Sequence, residues 1–146
     1  MADLNAILDM TPGETPDPVS LTPGVYEFTI TRYKTEEVGE NKTGKLTWSI
    51  RADAIVESDL SDEDLELAKP LYMEFWLTEK SFSYDVPHIS VKHFLTDALG
   101  IDEEDVSYRD LFELALGKTF TGKVEIEMQG KDRDRPTPTV KRVLVN

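Results

Sequence analysis

The chain of 146 residues contains no cysteine and only two histidines. The absence of cysteine excludes disulfide bonds and thiolate-ligated zinc or iron–sulfur centres, and two histidines leave little for a histidine-based metal site. No apolar run approaches the roughly 20 residues of a membrane-spanning helix, and the N-terminus lacks the basic-then-apolar pattern of a secretory signal. We therefore expect a cytoplasmic protein that holds no metal ion or other cofactor and has no membrane partner.

Basic residues are also few, because 16 Lys and Arg stand against 29 Asp and Glu, which gives a net charge of −13. Residues 1–24, 57–69 and 102–113 carry −4, −5 and −5, which sum to −14, so the rest of the chain carries +1. Within that rest, residues 131–142 carry +3. Screening limits each field to about 10 Å, so this basic segment can bind a polyanion although the whole protein is acidic. A solvated hairpin loop explains the same charges more simply.

The chain does contain enough apolar material for one folded domain, with 39% hydrophobic and 9% aromatic residues. Residues 1–23 are predicted to form a flexible N-terminal tail, because residues 11–18 include three prolines in eight positions and cannot sustain a helix or a central strand. The folded domain is expected over residues 24–146.

Alternation of apolar and polar residues predicts five β-strands in this domain, and 3.6-residue periodicity predicts helices between them. The predicted elements are, in chain order, a strand at 26–30, a loop at 35–45, strands at 45–54 and 71–80 with a short helix from 61 between them, helices at 89–99 and 107–117, a strand at 120–128, a loop at 129–138 and a strand at 139–145. Strict alternation places Trp48, Ala54, Ile126 and Met128 on the inner side.

The order of three strands, a helical segment and two strands is that of the OB-fold. We therefore predict a mainly β fold with inserted helices, a five-stranded OB-fold-like antiparallel barrel with its helical segment between strands three and four. A generic antiparallel α+β sandwich would produce the same order of elements, so both architectures stay open at this point.

In the OB architecture, ligands lie across the second and third strands, between the loops that join strands one to two and four to five. Aromatic rings stack on nucleic-acid bases and basic side chains neutralise phosphates, so this surface is a candidate site for a single strand. The candidate residues are Lys42, Lys45, Arg51, Tyr72, Trp76, Lys80, Lys131, Arg133 and Arg135. Alternatively, the tail or a second subunit covers Tyr72 and Trp76.

Other chemistry has little support in the sequence. His88 and His93 are five residues apart, which places them on different helix faces, and neither belongs to a metal-ligand motif. The acidic clusters at 62–66 and 102–105 lack the glycine and alternating oxygens of a calcium loop. No phosphate loop, dinucleotide fingerprint or nucleophile elbow occurs, so we expect no catalytic residues and no enzyme activity.

Four segments carry a resemblance to a known family: residues 21–30 (LTPGVYEFTI), 42–50 (KTGKLTWSI), 95–101 (LTDALGI) and 114–120 (LALGKTF). Over residues 21–146 the chain resembles tailed-phage single-stranded DNA-binding proteins of the OB-fold type. The resemblance implies a bacteriophage protein that acts in DNA replication, recombination or repair in the host-cell cytoplasm. Proteins of that machinery are then the expected partners, and the acidic tail at residues 1–23 is the candidate segment for recruiting them.

The expected function is non-sequence-specific binding of single-stranded DNA, with RNA as a possible substitute and oligomerisation left open. The first alternative is a protein-interaction module, such as a phage assembly or host-takeover factor, that uses the same barrel and aromatic face. The second is a metal-dependent nuclease, which the lack of a convincing ligand set weakens.

Overall fold

The computed structural model describes residues 4–14, 17–77, 89–129 and 135–145. They form a mainly β protein with one five-stranded antiparallel sheet and a few short helices, which confirms the predicted class. The strands are β1 (Gly24–Val38), β2 (Thr43–Glu57), β3 (Leu71–Leu77), β4 (Thr119–Gln129) and β5 (Arg135–Leu144). Hydrogen-bonded neighbours follow the order β3-β2-β1-β4-β5.

The first helix, α1 (Leu4–Leu8), and a 3-10 turn at Pro12–Glu14 lie before β1, in the segment predicted to be a flexible tail. The other short helices occupy the predicted places between the strands: α2 (Asp62–Glu66), α3 (Val91–His93, which continues as a π-helical turn at Phe94–Ala98) and α4 (Tyr108–Ala115). The side-chain oxygens of Ser61, Ser90 and Ser107 each accept the backbone N–H three residues later, at the starts of α2, α3 and α4. This satisfies a donor that a helix start otherwise leaves unpaired.

Within the described residues the sheet is open, because its edge strands β3 and β5 do not pair, whereas a barrel was predicted. Pro136 and Pro138 occupy alternate positions of β5, opposite Met128 and Ile126 of β4. Proline has no backbone N–H and is tolerated in a sheet where the missing donor faces an open edge. Alternate residues direct their backbone groups to the same edge, so the side of β5 nearest β3 lacks two donors. A ladder between β3 and β5 is therefore disfavoured.

The core lies between the inner face of the sheet and the helices α3 and α4. Trp48 of β2 is fully buried, and its ring centroid lies 5.9 Å from that of Phe94 and 5.5 Å from that of Phe112. Phe120 of β4 stacks on Phe28 of β1 at 5.5 Å. Trp48 thus attaches both helices to the sheet, and Phe120 also contacts Phe94, with ring centroids 5.2 Å apart.

The pairing of β1 with β2 shifts register at three places, two of which explain side-chain directions that strict alternation misses. The pairing shifts between Ile30 and Arg32, so Arg32 points outward and Tyr33 inward, where Tyr33 contacts Trp48. A second shift near Asp53 leaves Ala54 exposed, and the predicted inward position of Ala54 is wrong. A bulge inserts one unpaired residue, so every side chain after it changes face and strict alternation fails there.

The strands are longer than alternation predicted. β1 continues to Val38 and β2 begins at Thr43, so the predicted loop at 35–45 is only a short turn, in which Gly39 and Lys42 have positive φ. Arg135 begins β5, so residues 135–138 are strand and not loop. Ile126 and Met128, predicted inward, are exposed because β4 extends beyond the core at this end.

The residues immediately before β1 are held against the domain. The Val19 N–H donates to the Leu67 carbonyl at 2.8 Å, the Lys69 N–H donates to the Val19 carbonyl at 2.8 Å, and Leu21 is buried in the core. Farther from β1, Leu4 and Leu8 of α1 are exposed. Within the described ranges, no helix has the length and apolar character needed to cross a membrane.

Candidate nucleic-acid interface

Side chains that point away from the core on β1, β2 and β3 form one surface, which we call the outer face. Residues directly opposite each other in antiparallel strands point to the same side of the sheet. The register therefore arranges three rows across β1, β2 and β3: Arg32, Ser49 and Tyr72; Lys34, Thr47 and Glu74; and Glu36, Lys45 and Trp76. The outer face thus combines two aromatic rings with basic side chains, as the sequence predicted for β2 and β3.

Trp76 and Lys45 form the most defined part of the outer face. The Lys45 ammonium lies 5.8 Å from the centre of the Trp76 ring and 3.0 Å from Glu74 Oε1. Its side chain is only 18% exposed, so most of it is packed against the protein. Trp76 itself is half-buried, which leaves part of its ring accessible. A flat ligand that stacks on Trp76 would therefore lie beside a positive charge.

Tyr72 is the second ring and is 58% exposed, so no described part of the tail covers it. Tyr72 and Trp76 are four residues apart on the same side of β3, which corresponds to about 13 Å along the strand. This distance is too large for the two rings to sandwich one base. Each ring can instead stack on its own base.

Arg51 lies beyond the Tyr72 end of the rows and is tied to Asp53. Arg51 Nε donates to Asp53 Oδ1 at 2.7 Å, and Thr29 Oγ1 donates to Asp53 Oδ2. The hydrogen bond from Arg51 holds the pKa of Asp53 below its ordinary value, and the bond from Thr29 acts in the same direction against a partial desolvation. Asp53 therefore remains ionised at neutral pH. It competes with a phosphate for hydrogen bonds from the Arg51 guanidinium.

Replacing Asp53 with asparagine is expected to strengthen binding of a single-stranded oligonucleotide by about 2- to 5-fold, because it removes a competing carboxylate from Arg51. The loss of stability should stay under about 1 kcal/mol, since the pair is largely exposed. The lowered pKa means that the pair stabilises the fold above the ordinary pKa of an aspartate and is lost only as pH falls through the lower, folded-state pKa. A range of about pH 6 to 8 lies above the ordinary pKa of an aspartate, so the charge of Asp53 does not change within it. The affinity for the oligonucleotide should therefore show no dependence on pH that arises from Asp53 in this range. Unchanged or weaker binding by the variant would contradict this role of Arg51.

The outer face carries balanced charge in a protein of net charge −13. Its cations are Arg32, Lys34, Lys45 and Arg51, and its carboxylates are Glu27, Glu36, Asp53 and Glu74. Lys34 lies 3.3 Å from Glu36, and Arg32 makes no ion pair within the described part of the chain. Since the strongly acidic stretches 57–69 and 102–113 lie outside β1 and β3 and largely outside β2, the outer face repels an anion less than the rest of the surface does.

A cleft of about 580 Å³ separates the edges of β3 and β5. Tyr72 and Glu74 line it on the β3 side, and Thr137, Thr139 and the two prolines line it on the β5 side. The cleft therefore adjoins the outer face along β3. Glu127, which pairs with Lys141, also lines it and adds a carboxylate.

The remaining predicted site residues lie at the ends of these strands or outside the described ranges. Lys42 is exposed in the turn between β1 and β2, and Arg135 is exposed at the start of β5, opposite Gln129. The structure thus brings Lys45, Arg51, Tyr72 and Trp76 onto one surface and places Lys42 in the turn at its β1–β2 end, whereas Arg135 lies on β5, outside the outer face. Lys80, Lys131 and Arg133 lie outside the described residues.

Sequence reasoning missed Arg32 and Lys34, which extend the outer face across β1. Alternation from Ile30 would place Arg32 inward, and the bulge at Thr31 reverses this. The available signal was chemical, because an arginine is rarely buried without a partner whereas Tyr33 fits a core. Arg32 and Lys34 are polar at positions where alternation from Ile30 expects inward-pointing apolar residues, and this mismatch indicates that the strand changes the side to which its residues point.

No group of three or more histidine, aspartate or glutamate side chains that could hold a metal ion occurs among the described residues. His93 is exposed on α3, with Nδ1 4.0 Å from Asp97 Oδ2, and His88 lies outside the described ranges. No protein-family model matches the chain, and no curated protein is significantly similar to it. The function must therefore be argued from the geometry of the outer face.

Proposed function

We propose that the protein binds single-stranded DNA on its outer face without strong sequence preference. The role expected from the resemblance is in phage DNA replication, recombination or repair. Bases would stack on Trp76 and Tyr72, and Arg32, Lys45 and Arg51 would contact the backbone phosphates. Such binding needs no catalytic group, since stacking and charge neutralisation supply the affinity.

The arrangement of Trp76 and Lys45 carries this proposal. A half-buried tryptophan on the outward side of a strand is unusual, because that side is normally polar. An ammonium held 5.8 Å from its ring provides a cation next to a stacking platform. Stacking on one aromatic side chain contributes about 1–3 kcal/mol per base and tolerates any base, because every base has a π-face.

The acidity of the protein is compatible with this function because charge acts locally. The outer face has as many cations as carboxylates, and most of the acidic excess lies in segments away from it. Phosphates can also take the places of Asp53 and Glu74 beside Arg51 and Lys45. Each of these cations then exchanges a carboxylate for a phosphate as its anionic partner.

A protein-interaction module is a second candidate, here favoured by the exposed leucines of α1 and not by the aromatic face on which the sequence based it. Leu4 and Leu8 are four residues apart and lie on one side of a helix, which suits docking to an apolar groove. This function would use a different part of the chain and does not require the rings of the outer face.

Titration of a labelled oligo-dT at low and physiological salt tests the proposal and separates the two candidates. Counterion release predicts that the logarithm of affinity falls with the logarithm of salt concentration, with a slope of about −0.7 per phosphate contact. With three such contacts the slope should be near −2, as roughly three times that value. No binding at low salt would contradict the proposal.

A further inference from the structure

Glu74 lies midway between the two rings on the same side of β3, directly opposite Thr47 of β2. Its side chain is 53% exposed, so the carboxylate is available to a ligand on the outer face. Oε1 lies 3.0 Å from the Lys45 ammonium, and Oε2 makes no ion pair within the part of the chain that the structure describes. The middle row of the outer face therefore presents Glu74 Oε2 as an atom that can accept a hydrogen bond from a ligand.

The spacing of the rings requires a strand that stacks on both of them to cross Glu74. Stacked nucleotides advance by about 3.4 Å, and an extended strand advances further per nucleotide. A separation of about 13 Å between Tyr72 and Trp76 therefore leaves room for at least one base above Glu74. That base has no ring beneath it, so its polar edge meets the carboxylate.

An ionised carboxylate can only accept hydrogen bonds. Cytosine offers the N4 amino group as a donor, and glutamate accepting from this group is a recognised pairing. Uracil and thymine have a carbonyl at the same position. Their one edge donor, N3–H, lies between two carbonyl oxygens that repel a carboxylate.

We infer that Glu74 gives the outer face a preference for bases with an exocyclic amino group, cytosine above all, over uracil and thymine. The inference rests on the proposed function and adds a base preference to it. The preference is moderate and compatible with binding to mixed sequences, because the stacking and phosphate contacts are the same for all of them.

Glu36 provides a matched control for Glu74. It lies on β1, opposite Lys45, and pairs with Lys34 at 3.3 Å, so it carries the same charge and also makes one ion pair with a lysine of the outer face. It is not on β3 between the rings. Removing its charge should change the general attraction for DNA but not the choice of base.

The test compares labelled dC and dU oligonucleotides of equal length, which differ at the pyrimidine 4-position and N3 and not by a methyl group. At slightly alkaline pH, wild-type protein should bind dC about 5-fold or more tightly than dU, the lower end of the range for discrimination by one base contact. In Glu74→Gln both oligonucleotides should bind more tightly and the ratio should approach one, because an amide both donates and accepts. In Glu36→Gln both should also bind more tightly, with the wild-type ratio retained.

Equal binding of dC and dU by wild-type protein would overturn the inference and leave the proposed function intact. A preference for dC that persists in Glu74→Gln would also overturn it, because another group would then read the base. Failure of both oligonucleotides to bind at low salt would reject the proposed function, and the base preference with it.

Discussion

Replacing Trp48 with alanine is expected to lower the free energy of unfolding by about 3–5 kcal/mol, the range for removal of a buried tryptophan. Trp48 is fully buried, and its ring contacts Phe94 of α3 and Phe112 of α4. Its loss would leave a cavity where the sheet meets both helices, and a close-packed core relaxes only partly around such a cavity. Urea denaturation monitored by circular dichroism measures the change.

Trp48→Phe is the matched control for this substitution. The buried indole N–H of Trp48 has no hydrogen-bond partner in the described structure, so phenylalanine removes no polar contact. The loss should be clearly smaller than for alanine, because phenylalanine keeps one ring in the core and leaves a smaller cavity. If neither substitution destabilises the protein, Trp48 does not contribute to the core as described.

Replacing Trp76 with alanine is expected to weaken binding of single-stranded DNA by about 5- to 150-fold, which corresponds to the 1–3 kcal/mol of one stacked base. The variant should remain folded, because Trp76 is half-buried on the outer side of β3 while the core lies on the other side. Fluorescence anisotropy with a labelled oligonucleotide measures the affinity. A folded variant that binds as tightly as wild type would remove Trp76 from the site.

A control for this variant removes exposed apolar surface elsewhere on the same strand pair. Val56 is 61% exposed near the end of β2, beyond the Arg51 end of the outer face. Val56→Ala should leave the affinity unchanged. Equal weakening by both variants would show a general effect of surface hydrophobicity and not stacking on one ring.

The inward and outward sides of β3 could be predicted from the sequence because that strand is regular. Leu71, Met73 and Phe75 are buried and Tyr72 is exposed, as strict alternation requires. In β1 and β2 the same reasoning fails after the bulges, since a bulge depends on the pairing of two strands and leaves no mark on the period of either. Ala54 was therefore assigned to the wrong side, and Arg32 and Lys34 were not recognised as part of the outer face.

The open edge of the sheet could also not be predicted from the order of elements. The sequence placed Pro136 and Pro138 in the loop before the last strand, although an edge strand also tolerates proline. Their position opposite Met128 and Ile126 depends on the length of β4, which exposes both of these apolar residues. The two prolines indicate that an edge strand is nearby. Their effect on the pairing of β5 with β3 could be recognised only once the register between β4 and β5 was known.

At the candidate site, the ring and cation types were predictable and their partners were not. Lys45 and Trp76 are far apart in sequence, and their proximity follows from the register between β2 and β3. The carboxylates Asp53 and Glu74, which hold Arg51 and Lys45, had no separate signal in the sequence. Alternation indicates which residues share a face but not which of them form ion pairs.

Tryptophan fluorescence of the Trp48→Phe variant tests the central claim most directly, because the chain has two tryptophans and Trp76 is then the one that remains. If bases stack on Trp76, saturating oligo-dC or oligo-dT should strongly quench its emission, along the same titration curve as the anisotropy. In Trp76→Phe, the buried Trp48 should report almost no quenching. Binding of the oligonucleotide to the Trp48→Phe variant without quenching would contradict the account, because the strand would then lie elsewhere on the protein.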